Sequence, residues 1–91
     1  MLSISMIKHR ITDLEYTIVK DEDTKFINNG KIDILYWSIQ DGEVKSEKQI
    51  RNRIKRIQEE LLATNSEMGK GSILDYQEKM ARIEELEGIL K

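Results

Sequence analysis

The chain has 91 residues, a net charge of −2 and 35% charged side chains, with no cysteine, no proline and one histidine, His9. A chain of this length fits one domain that buries too little surface to be more than marginal alone, so a homodimer or a bound partner is expected. Disulfide and thiolate-metal staples are excluded, no metal set or cofactor is anticipated, and the balanced charge proposes no global nucleic-acid field.

Ile4, Ile7, Ile11, Leu14 and Ile18 recur at alternating three- and four-residue spacing, which places all five on one helical stripe and predicts a helix over residues 3–20. Asp21, Glu22, Asp23 and Thr24 follow as a polar reversal, with Asp23 and Thr24 placed to cap the next helix.

Residues 25–40 carry two signals. Ile32, Leu35, Tyr36 and Ile39 form a helical stripe with Ile27, Ile34 and Trp37 beside it, whereas Asn28, Asn29 and Gly30 make a turn ahead of a β-branched and aromatic run, as a β-hairpin would. Register favours the helix. Folding the first helix back across the acidic turn sets Ile18 against Ile27, Ile11 against Ile34 and Ile7 against Ile39 at a nearly constant index sum.

Ser46 and Gln49 have capping-box spacing ahead of a third stripe, Ile50, Ile54, Ile57 and Leu61. Residues 64–71 hold the polar and glycine residues of a loop, and Ser72 with Asp75 opens a fourth helix with the stripe Ile73, Tyr76, Met80, Ile83, Leu86 and Leu90. Pairing Ile50 with Leu86, Ile54 with Ile83, Ile57 with Met80 and Leu61 with Tyr76 again keeps the index sum nearly constant, as an antiparallel αα-hairpin requires. The expected fold is therefore all-α, a single domain of antiparallel, coiled-coil-like helical hairpins over residues 3–40 and 46–90, about four helices in total. A β-hairpin at 25–40 followed by a C-terminal αα-hairpin is the alternative. No apolar stretch follows Met1 as a signal-peptide core would, and none is long enough to span a bilayer, so a cytoplasmic, non-membrane protein is expected.

The basic cluster Lys45, Lys48, Arg51, Arg53, Lys55 and Arg56 opens the third helix against the helix dipole. In the antiparallel register these cations face Glu84, Glu85 and Glu87, so intramolecular pairing is the expected use. Contact of Lys48, Arg51 and Lys55 with a nucleic-acid backbone is the alternative.

No catalytic constellation emerges. His9 has no paired nucleophile, and Lys70 between Gly69 and Gly71 lacks the earlier glycine and the strand of a phosphate-binding loop. Asp21 and Asp23 open like a calcium loop, but Phe26 and Ile32 occupy the glycine and bidentate-acid positions. Glu59 and Glu60 are adjacent and point apart, so an enzyme is not expected. Tyr36 and the single tryptophan, Trp37, are natural interface anchors in an aromatic-poor chain, with Ile34 as an apolar neighbour and Met68 as an adaptable contact in the glycine-flanked loop.

Residues 30–37, GKIDILYW, resemble small helical proteins of unknown function from bacteriophages and related elements of Gram-positive bacteria. That resemblance implies a helix at this segment and a small binding protein acting on a host or phage macromolecule. The C-terminal hairpin more distantly resembles two-helix phosphatases that act on a sporulation regulator, but residues 79–86 lack that family's Ser-x-x-x-Asp pattern and no site carries over.

The function expected is therefore a non-enzymatic protein-protein interaction module, a small inhibitor, adaptor or regulator, and the resemblance implies a host protein such as a defence, replication or transcription factor as its target. A nucleic-acid-binding regulator and a structural or assembly component are the alternatives.

Overall fold

The computed structural model describes residues 1–64 and 70–91. Among them the chain forms four helices and no strand: α1 (Ile4–Tyr16), α2 (Glu22–Ser38), α3 (Glu47–Thr64) and α4 (Lys70–Leu90). The helical reading of residues 25–40 is the one observed.

Local chemistry sets the helix ends. Ser3 caps α1, its Oγ accepting the Met6 N–H at 3.3 Å. The helix then stops at Tyr16, four residues short of the expected end, because Thr17, Ile18 and Val19 are three consecutive β-branched residues that resist helical χ1 rotamers. Thr17 also donates its hydroxyl to the Asp13 carbonyl at 2.7 Å. Asp21, not Asp23 or Thr24, is the N-cap of α2, and its Oδ2 accepts both the N–H and the hydroxyl of Thr24 at 2.8 Å. Glu22 and Asp23 then lie in the first turn, where the helix dipole favours acids.

Gly30 sits inside α2 and not in a turn. A Cβ there would meet Glu78 of α4 at 2.6 Å, so the glycine is what lets the two helices approach. After α2, Gly42 takes a left-handed φ of 81° and the Lys45 N–H returns to the Ser38 carbonyl at 2.9 Å. Ser46 and Gln49 then form the expected capping box, with reciprocal hydrogen bonds of 3.2 and 3.0 Å. The fourth helix starts earlier than expected, at Lys70, which places Ser72 inside it and not at its N-cap.

The four helices share one core: Ile7, Ile11 and Leu14 from α1, Ile34 and Leu35 from α2, Ile50, Ile57 and Leu61 from α3, and Ile83, Leu86 and Ile89 from α4, with Ile39 closing it from the α2 C-cap. Helix α4 is the organising element. It packs most extensively on α2, then on α3, and α1 is tied to it by the Leu2 N–H to the Ile89 carbonyl at 2.8 Å and by a two-pronged Arg10–Glu85 pair at 2.9 and 3.0 Å.

Two details of the expected registers therefore fail. Ile18 lies beyond the end of α1 and is 87% exposed, so it faces no partner on α2. Tyr76 and Met80 are 39% and 37% exposed, because α4 turns its inner face toward α2 as well as α3, burying Glu78 and Ala81 in their stead.

Candidate functional site

The anchors expected from the sequence separate in the fold. Ile34 is 1% exposed and belongs to the core, so it is withdrawn as a partner contact: a helix with apolar residues over most of its circumference turns its most central position inward. Tyr36 stands on the surface, 48% exposed, with its hydroxyl donating to Glu15 Oε2 at 3.2 Å. That hydrogen bond to a carboxylate stabilises the protonated phenol and raises its pKa above the ordinary tyrosine value. Met68 lies outside the described residues.

Trp37 lies between these extremes, partly buried and packed against the core. Its ring carries two cations, Lys45 Nζ at 5.1 Å and the Arg53 guanidinium at 5.2 Å from the centroid, within the range of cation–π attraction. Residues 49, 52, 53 and 56 follow one face of α3 at helical spacing, and Gln49, Asn52, Arg53 and Arg56 complete with Trp37 and Lys45 an open cleft of about 420 Å³.

Lys45 is pinned by Asp41 at 2.9 Å. Among the described residues Arg53 and Arg56 make no ion pair, and Arg53 Nε is buried without a hydrogen-bond acceptor. Of the three acids on the other side of Arg53, Glu60, Asp75 and Glu78, Glu78 is committed to Arg82 and Asp75 to Lys79.

The expected pairing of the basic cluster with the end of α4 is not observed. Arg51 binds Glu47 of its own helix at 2.8 Å, and Glu85 is taken by Arg10. Among the described residues no ion pair joins the α3 cations to Glu84, Glu85 or Glu87. The reason is geometric, since the inner face of α4 addresses α2, and α1 reaches Glu85 first. The Glu85 carboxylate and its hydrogen bonds raise the Arg10 pKa still further above its ordinary value. Of the three residues singled out for nucleic acid, Lys48 and Lys55 are exposed without an ion pair among the described residues, while Arg51 is engaged.

A second concavity of about 400 Å³ lies between α2 and α4, lined by Ile27, Lys31, Tyr76, Gln77, Met80 and Glu84 together with Ala81. Ile73 at 60% and Phe26 at 41% add exposed apolar surface on the same two helices. The sequence stripe of α4 contains these residues but does not reveal which half of it stays uncovered. Lys45 was likewise hidden as a Trp37 neighbour, because the Gly42 turn returns it to the ring, whereas the spacing of residues 49, 52, 53 and 56 was available.

His9 is exposed on α1 at 3.8 Å from Asp13. Among the described residues no cluster of three or more histidine and acidic side chains could hold a metal ion, and no helix is long and apolar enough to cross a membrane. Neither family models, curated proteins nor solved structures match the chain.

Proposed function

We propose that the protein is a non-enzymatic, cytoplasmic protein-interaction module, a small inhibitor, adaptor or regulator, that receives an apolar segment of a partner in the groove between α2 and α4. One observation carries the reading: half of the α4 apolar stripe, Ile73, Tyr76 and Met80, remains exposed, and Tyr76 and Met80 line the groove together with Ile27 of α2. Adjacent exposed apolar residues lining a groove are the surface an amphipathic helix recognises. Lys31 and Glu84 give the groove one charge of each sign, which orients an incoming segment. The same groove serves a homodimer, because under a twofold axis Lys31 of each copy can meet Glu84 of the other. A host macromolecule as the target fits the resemblance of residues 30–37 to small phage-borne proteins.

The test is capture of a partner from lysate by the unaltered protein and by Met80→Glu and Tyr76→Ala, with the oligomeric state followed by sedimentation. A partner, or a dimer, that is lost in both variants while the circular dichroism spectrum is unchanged supports the groove; equal retention by all three proteins refutes it.

A second reading, nucleic-acid binding, is favoured by Lys48 and Lys55 standing exposed and unpaired among the described residues. It predicts salt-dependent binding that Lys48→Gln with Lys55→Gln weakens.

A further inference from the structure

The cleft at Trp37 collects positive charge that the fold does not neutralise. Of its three cations only Lys45 has an acid, Asp41, and that acid is directed at Lys45 from the same turn. Arg53 is partly buried, its Nε has no acceptor, and the nearby Glu78 and Asp75 are occupied by Arg82 and Lys79. A partly buried guanidinium without a counter-charge is costly, and the ring of Trp37 compensates only in part. Arg56 stands one turn along the same face, exposed and unpaired among the described residues, and Gln49 and Asn52 add amide donors to the rim.

We propose that this cleft receives an aspartate or glutamate side chain from an acidic segment of a protein partner, the carboxylate lying between Arg53 and Arg56. Paired guanidinium groups match a carboxylate through parallel N–H donors and hold it more firmly than ammonium groups do. This inference rests on the protein-binding reading above and names the chemistry of the partner.

Two features favour an acidic peptide over a nucleic-acid strand. The indole packs on the core and carries Lys45 and Arg53, so the ring surface that a stacked base needs is already used. The basic surface is also short: Asp41, Glu43 and Glu47 precede it and Glu59 and Glu60 follow it, so a long phosphate backbone leaving the cleft would meet acids at either end. A short acidic segment avoids both obstacles, because it needs no ring surface for stacking and can end within the basic patch.

Trp37 is the only tryptophan, so its emission reports on this cleft alone. The full chain at low salt is titrated with blocked hexaglutamate, with oligothymidylate and with inorganic phosphate. Hexaglutamate is expected to give a saturable change in emission that the other two match only at much higher concentration. Arg56→Glu, at an exposed position where folding is not at risk, should weaken hexaglutamate binding about tenfold or more, as loss of a charge-assisted pair requires. Lys48→Gln and Lys55→Gln should leave it unchanged.

A silent titration, an equal or stronger response to oligothymidylate or phosphate, or an effect of Lys48→Gln and Lys55→Gln as large as that of Arg56→Glu would each overturn the proposal. Failure here with capture still lost in Met80→Glu removes only the acidic-peptide inference. Capture indifferent to Met80→Glu removes the groove reading itself.

Discussion

A methyl group placed on Gly30 of α2 would lie 2.6 Å from Cγ and 2.8 Å from Cδ of Glu78 on α4. Glu78 cannot easily give way, because it is buried and ion-paired to Arg82. Gly30→Ala should gain up to about 1 kcal/mol of helix propensity yet lose about 1 to 3 kcal/mol to overpacking, a net destabilisation. In a Glu78→Ala background the obstacle is gone and the same substitution should stabilise. Urea denaturation of the two single variants and the double variant forms a thermodynamic cycle, and equal effects of Gly30→Ala in both backgrounds would disprove the contact.

Two isoleucines of one sequence stripe should respond very differently to truncation. Ile11 is in the core whereas Ile18 lies outside α1 in solvent. Ile11→Ala should cost about 2 to 5 kcal/mol and Ile18→Ala within about 0.5 kcal/mol. Comparable losses at both sites would place Ile18 in a buried contact and restore the longer helix.

That contrast shows where the sequence was legible. Periodicity identified α3 and the apolar stripes, register favoured the helix over the hairpin at residues 25–40, and the Ser46–Gln49 spacing predicted a cap that forms as read. Periodicity is blind to which of two neighbours a stripe addresses. Pairing α4 with α3 alone assigned Tyr76 and Met80 to the core, but α4 divides its inner face between α2 and α3 and leaves them outside. The glycine of Asn28-Asn29-Gly30 read as turn chemistry because the reason for it, Glu78, lies 48 residues away. The Trp37 cleft was half legible: Arg53 and Arg56 belong to a visible helical face, but their lack of acids depends on Arg10 capturing Glu85 and Arg82 capturing Glu78.

Acid should fray the start of α2 before it melts the core. The Asp21 carboxylate is held below its usual pKa by the Thr24 N–H and then by the Thr24 hydroxyl. A depressed folded-state pKa stabilises the helix above the unfolded-state pKa, and that contribution is lost as pH falls through the folded value. Protection of the Thr24 amide, its exchange rate compared with the intrinsic rate at the same pH, should therefore fall as the carboxylate is protonated. Asp21→Ala should show low protection of this amide at neutral pH and no further loss of protection in acid. Identical pH profiles for the two proteins would remove Asp21 as the cap.

Arg53→Met separates what the Trp37 cleft does for folding from what it does for binding. Methionine keeps the aliphatic packing and a favourable sulfur contact with the indole, while removing a guanidinium whose Nε is buried without an acceptor. Replacing an unsatisfied polar group by an apolar one of similar length is neutral or stabilising, so the urea midpoint should hold or rise, by up to about 1 kcal/mol in equivalent stability. Hexaglutamate affinity should fall together with that gain. A residue kept at some cost to stability and needed for anion binding behaves as a binding residue. If Arg53→Met instead destabilises the fold strongly, the guanidinium is holding α3 to Trp37, and the cleft is a structural joint.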